Sequence, residues 1–526
     1  MKKLICIIST ILLILCISPL AKAKIPFELG IEYTFVGKPD RSPTKEGFAQ
    51  VYQQMGATLT KPMDQVVYQI VVQKNCGDPF DWSAIDGRVL EYQKYGFDFL
   101  IVLATRYDKK PSNYSQEEIV CYQNYVRETV ERFDGDGIKD MPGLKKPIVY
   151  WQVDSEFRTG FFDQRTWGDP GGEYVRMLEL ANPPIREAMP NAKILTISWQ
   201  SRAAWTDVDG EKRTYENMSD WKVGSMTKTF EAINKVFDRQ ELWDITCFNL
   251  IEDYSAMPGL VRWLKASMKD RDFQKPIFAS DLSYSMTPVM TGPVLLYPYH
   301  GKVYDFWKPK SIQRYWKGVG LINQLAKEKS TGPTYRWFKR EQAIFMVKAL
   351  TTAIGEGVEA MNVHSAYSQA FPWRLLFQRL GAGTFGWCGL VESDWSVGPF
   401  PQEKWPAYYA TKDVVALLKT YDSVVCKSIT LHNGQKIHRY DFKRLTYNLS
   451  VMWLDDRIGN FPDEQQGSVP YLFKEPNVST AVVRHMVFDD ANTLSWNEGI
   501  HKDGDDGRVD QAISLTITEV PVMIFY

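Results

Sequence analysis

Hydrophobic and polar positions follow two rhythms along this chain. Short apolar runs such as "FELGIEYTF", "ATLTKP", "FDFLIVLAT" and "KPIVYWQV" read as strands, and longer amphipathic stretches with helical period separate them. "KEGFAQVYQQMG" and "DWSAIDGRVLEYQKYG" predict helices ending at Gly56 and Gly96. In "SQEEIVCYQNYVRETVERF", Ser115 and Glu118 stand at capping-box spacing. The pattern continues through "AKILTISW", "WDITCFNLIEDY", "KPIFASDL" and "VEAMNVHSAY" as strands five to eight, and "WPAYYATKDVVALLKTYD" predicts the last barrel helix. Eight such units imply parallel strands covered by helices, an α/β chain closed into a (β/α)8 TIM barrel. From about Ser423 the helical period stops. "SITLHNGQKIHRYDF", "LTYNLSVMWLDD", "TAVVRHMVFDD" and "QAISLTITEVPVMIFY" are strands parted by turn residues, and they predict a small all-β sandwich.

The first residues stand outside this pattern. Lys2 and Lys3 precede an apolar run, and Ala21-Lys22-Ala23 has the small-x-small form of a signal-peptidase site. The expected organisation is a signal peptide over 1–23, the barrel over 24–422 and the sandwich over 423–526. The mature chain is then secreted or periplasmic, with no membrane anchor after cleavage. The full sequence of 526 residues carries a net charge of −1 with both signs interspersed, which argues against a nucleic-acid partner. Five cysteines remain after the signal, widely spaced and without a CxxC or Cys/His cluster, so at most two disulfides and no structural zinc are expected. No cofactor or metal is implied. The 17 Trp, 27 Tyr and 27 Phe are many, and aromatic rings outside the core make flat platforms suited to the apolar faces of sugars.

The chemistry lies at strand ends. "IVYWQVDSEF" is an apolar strand that finishes on Asp154, Ser155 and Glu156, and "PIFASDLSY" places Asp281 at the end of strand seven. Strand six ends near Asn249, Glu252 and Tyr254, strand five at Trp199, and strand eight near Asn362 and His364. Residues just beyond the carboxyl ends of barrel strands face the active site. Two carboxyls across such a mouth are what glycoside hydrolysis needs: one protonates the departing oxygen and the other attacks or positions water. The candidate catalytic pair is Glu156 and Asp281. Asp154, Ser155, Trp199, Asn249, Tyr254, His364 and Trp395 are the candidate sugar contacts. Each has a plainer reading: Glu156 paired with Arg158, Asp281 as a cap or ion-pair member, and any single Trp as core.

Taken together, these stretches resemble the clan of retaining (β/α)8 glycoside hydrolases, especially xylosidase- and cellulase-like members with a C-terminal β-sandwich. "VRETVERFDGDGIKDMPGLKKPIVYWQVDSEF" is similar to the approach to that clan's acid/base, "KPIFASD" to its nucleophile strand and "LTITEVPVMIFY" to its closing sandwich strand. The resemblance implies Glu156 as acid/base and Asp281 as nucleophile, acting on a carbohydrate. Two positions depart from the pattern: Ser155 stands where the family usually has Asn, and Asp281 where it usually has Glu. A glycan-binding protein that has lost turnover is the alternative these departures leave open.

Overall fold

The computed structural model describes residues 25–33, 47–62, 67–107, 109–157, 168–200, 220–251, 257–284, 332–364, 389–394, 400–455, 461–464, 466–489, 493–509 and 511–526, with Tyr254 and a few positions between 313 and 328. The signal-peptide residues, Arg158, Glu252 and Trp395 lie outside them.

Eight parallel strands form the barrel: β1 (Glu28–Tyr33), β2 (Leu59–Pro62), β3 (Asp98–Leu103), β4 (Tyr150–Val153), β6 (Lys193–Gln200), β7 (Ile245–Ile251), β8 (Ile277–Ser283) and β9 (Ala360–Val363). The short β5 (Glu156–Phe157) extends the end of β4 and pairs with β6. The pairing of β4 with β6 and of β1 with β9 closes the ring. The intervening helices are α1 (Phe48–Met55), α2 (Ser83–Gln93), α3 (Gln116–Glu131), α4 (Pro170–Ala188), α5 (Asp220–Phe237), α6 (Met257–Lys269), α7 (Pro333–Glu356) and α8 (Pro406–Leu418). The capping box at the start of α3 is formed in both directions between Ser115 and Glu118. A disulfide joins Cys76 to Cys121 on α3.

Side-chain alternation sorts each strand into an inward and a helix-facing set. Leu59, Leu100, Leu195, Ile245, Phe278 and Ala360 fill the lower barrel interior. Leu29, Ile31, Ile101, Trp151, Phe248 and Met361 join the larger core between strands and helices. Gly30 sits beside Asn362 on the neighbouring strand. A Cβ at Gly30 would lie 1.7 Å from Asn362 Oδ1, so only glycine lets that amide enter the interior.

After β9 comes an antiparallel hairpin, β10 (Val391–Asp394) and β11 (Phe400–Lys404), which the periodicity did not announce. The sandwich follows as β12 (Ser423–Thr430), β13 (Lys436–Lys443), β14 (Leu449–Leu454), β15 (Ser468–Phe473), β16 (Thr480–Phe488), β17 (Leu494–Lys502), β18 (Ile513–Thr518) and β19 (Val522–Phe525). Its larger sheet runs β12-β13-β14-β19-β16-β17 and its smaller one is β15-β18. β15 and β17 are additions to the sequence reading. The larger sheet docks on the barrel. Tyr440, Phe442 and Trp453 belong to the barrel's own apolar core, and Trp496 Nε1 donates to Asp413 on α8 at 2.9 Å.

Candidate active site

The barrel interior becomes polar toward the carboxyl ends of the strands. A buried string crosses it first: Gln152 Nε2 donates to Ser198 Oγ at 2.8 Å, Ser198 meets Ser280, and Ser280 Oγ donates to Asn249 Oδ1 at 2.7 Å. One step further along, four charged or titratable side chains meet. Lys61 Nζ donates to both oxygens of Asp281 at 3.1 and 3.2 Å and lies 3.3 Å from Glu32 Oε1. His364 Nδ1 hydrogen-bonds Glu32 Oε2 and stands 3.9 Å from Asp281 Oδ1. All four side chains are at most 7% exposed.

The electrostatics explain how such a cluster survives burial. An isolated buried carboxylate is costly, and a paired one is not. Burial by itself would raise the Glu32 pKa, but the Lys61 ammonium and the His364 ring more than reverse this and hold it well below the usual carboxylate range. Glu32, Asp281 and His364 also bring ligand atoms within 4.8 Å of one another, a spacing that could suit a metal ion. Lys61 already supplies a positive charge in contact with both carboxylates, so the donor set does not need one. A second acidic group, Asp134, Asp136 and Asp140, lies in the loop between α3 and β4. Its carboxylates accept loop amides, and burial pushes Asp134 up to about 6.

Two strand irregularities decide which side chains reach this layer. In β8 an extra residue is accommodated between the pairs Phe248–Ala279 and Asn249–Asp281. This β-bulge lets both Ser280 and Asp281 contact interior partners, while Leu282 still joins the helix-facing core. In β6 the same shift falls between Leu195 and Ser198. Leu195 and Ser198 make interior contacts, and Ile197 and Trp199 turn to the helices. Regular alternation from Leu195 would have pointed Trp199 inward. Instead its indole donates to Thr246 Oγ1 at 3.1 Å and packs edge-on to Tyr174 of α4. The expected sugar contact at Trp199 is therefore corrected to a core residue.

The other sequence candidates divide as follows. Asp281 and His364 come together in the cluster, and Asn249 is buried beside them in register with Asp281. Asp154 and Ser155 are half-buried at the end of β4. Asp154 adopts the left-handed region (φ 62°) and its Oδ1 accepts the Ser155 N–H at 2.7 Å. Asp tolerates that conformation better than most residues, and the turn lets the chain leave β4 and rejoin the sheet as β5. There the Glu156 backbone pairs with Ser198; its side chain lies outside the described positions. Tyr254 is not part of the group: it packs against Phe345 of α7 and Trp453 of the sandwich. Glu32 and Lys61 are the residues that sequence reasoning missed. Their signal was present, as inward-phase charges in "GIEY" and "LTKP" within otherwise apolar strands.

No protein-family model matches the chain, and no curated protein matches it in sequence. Solved structures do match in fold. A family 39 glycoside hydrolase from the gut symbiont Bacteroides cellulosilyticus aligns over 96% of this chain and 81% of its own, with TM-score 0.53 and 12% identity. A glucosidase from Croceicoccus marinus aligns over 97% and 96%, with TM-score 0.49 and 11% identity. At 12% identity the likeness to the family 39 enzyme is one of fold alone.

Proposed function

We propose that this chain is an exported glycoside hydrolase that cleaves O-glycosidic bonds of a polysaccharide or oligosaccharide with retention of configuration. The observation that carries the reading is the Asp281 carboxylate at the end of the seventh barrel strand, ion-paired by Lys61 beside a second carboxylate, Glu32. In this reaction Asp281 attacks the anomeric carbon while Glu156 gives its proton to the departing oxygen. Water then cleaves the glycosyl ester, and its proton returns to Glu156. Ester formation removes the negative charge of Asp281. Lys61 still faces Glu32 at that stage, so the buried ammonium keeps a counter-ion throughout. Asp154, Ser155, Asn249 and His364 are the proposed hydroxyl partners and Trp395 the proposed platform. Export rests on the signal-like sequence over 1–23; among the described residues no helix is long and apolar enough to cross a membrane.

A second reading is a glycan-binding protein without turnover. It is favoured by the 3% exposure of Asp281 and the engagement of both its oxygens by one lysine. A panel of aryl glycosides and polysaccharides, scored for turnover, product anomer and binding, decides between the two. Hydrolysis with the retained anomer, abolished in Asp281→Asn, supports the enzyme. Binding without any hydrolysis supports the second reading. An inverted product removes the covalent mechanism.

A further inference from the structure

The sandwich contains a cavity of mixed polar and apolar lining where its core would be expected to continue. On β13, Ile437 joins the apolar core between the two sheets, while Tyr440 and Phe442 face the barrel. Arg439, Asp441 and Lys443 share the phase of Ile437. A cavity of about 340 Å3 opens at that end, its lining including Lys427, Asp441, Lys443, Asn448, Glu475 and Tyr526. Its floor is a buried ion network. Asp441 accepts from Arg439 Nε at 2.6 Å and Ser450 Oγ at 2.5 Å, and pairs with Lys427 at 2.7 Å. Arg439 also reaches Glu475 and lies over the Phe473 ring, 4.7 Å from its centre. Burial alone would raise Asp441, but Arg439, Lys427 and Ser450 lower it, so it stays an anion. Well-packed apolar side chains would stabilise such a position as well or better than a buried ion network.

Hydrogen-bond accounting shows what the cavity has to offer a guest. Both carboxylates are already engaged by Arg439 and face Lys427. The unspent capacity is donor capacity: the Lys443 side chain is exposed and, among the described residues, has neither an ion-pair nor a hydrogen-bond partner, and the Asn448 side chain is likewise uncommitted. Tyr526 adds a fixed aromatic wall, held edge-on to Phe473 at 5.1 Å and by two backbone bonds to Asn448 of 2.8 and 3.1 Å. The volume exceeds what a bare anion fills, since one water takes about 30 Å3. We propose that this cavity binds a sugar ring bearing a carboxylate, its acid group on Lys443 and Asn448 and its apolar face on Tyr526. The proposal goes beyond the barrel chemistry and does not rest on it.

Ligand-observed NMR on the full chain tests it with methyl β-D-glucuronide, methyl β-D-glucoside and inorganic sulfate as probes. The glucuronide should bind, the glucoside and sulfate at least tenfold more weakly. Lys443→Ala should weaken the glucuronide by roughly ten- to a hundredfold, the range of one hydrogen bond to a charged group, and Lys443→Glu should abolish it. Both variants alter an exposed side chain at a strand end, and unchanged thermal melts would show that they fold. Asp281→Asn should leave this binding in place. Absence of glucuronide binding, indifference to both Lys443 variants, loss in Asp281→Asn, or equal binding of glucoside or sulfate would each overturn the proposal.

Discussion

Replacing Lys61 by Met removes the ammonium and keeps most of the side-chain volume. The cost follows from the geometry. Lys61 Nζ lies 3.1 Å from Asp281 Oδ1 and 3.3 Å from Glu32 Oε1, and all three side chains are nearly inaccessible. At these separations each contact is worth about 5 kcal/mol in Coulomb energy at an effective dielectric of about 20. Desolvation of the lysine offsets much of this, so the net loss expected at pH 8 is about 3–5 kcal/mol, the usual cost of breaking a buried pair. The loss should depend on pH in a direction opposite to the wild type. In the wild type the depressed Glu32 pKa contributes stability that is present above its unfolded value of about 4.3 and lost as pH falls toward the folded value. In the variant two carboxylates face each other without the lysine, and one must have a raised folded pKa. Its penalty is complete at high pH and shrinks as acid supplies a shared proton. Urea unfolding followed by tryptophan fluorescence at pH 5 and pH 8 measures both effects. Lys61→Met should gain stability on moving to pH 5, where the wild type draws no such gain from these groups. An equal loss at both pH values would mean that only packing was removed, and no loss at pH 8 would refute the electrostatic account.

Three further outcomes are expected. Glu156→Gln should slow hydrolysis of substrates with poor leaving groups by about 10²–10⁴-fold and activated aryl glycosides far less; equal losses in steady-state rates would remove Glu156 as the acid. Cys121→Ser opens a disulfide spanning 45 residues, and loop-closure entropy puts the loss at up to about 4 kcal/mol, to be read from melts with and without reductant; unchanged melts would contradict it. Gly355 lies on α7 where a Cβ would fall 2.3 Å from the Tyr440 ring, so Gly355→Val should strain the barrel–sandwich seam by about 1–3 kcal/mol. Limited proteolysis should then release a barrel ending near Tyr421 faster than from wild type.

The barrel was legible because its signals are local. Helical and strand periods, the Ser115–Glu118 box and the strand-end carboxylates all lie within a few residues of one another. The candidate site was only partly legible because its partners meet across the ring. Lys61 and Asp281 are 220 positions apart, so the inward phase of the lysine in "LTKP" does not say which carboxylate it will meet. Asp281 and His364 could be named from strand ends, but Glu32 sits on the first strand, where nearby apolar residues suggested only core. Trp199 was named for its place at a strand end, and one extra residue in β6 turns it from the interior to the helices. β15 escaped notice because Pro470 and an exposed Leu472 blur its polar–apolar lettering, and β17 because Asn497, Glu498 and Gly499 interrupt its alternation.

The bulge in β8 has a consequence for how this chain is compared with others. With one residue more than its neighbours require, β8 cannot be matched position for position to a regular strand seven. An ungapped superposition of letters anchored on Phe278 and Ala279 assigns Asp281 to a helix-facing slot and Leu282 to the mouth. The carboxylate would then be scored as missing in a protein that carries it. Placing a one-residue gap at Ser280 restores the correspondence, so the spacing of the letters, as much as their identity, determines whether the site is recognised.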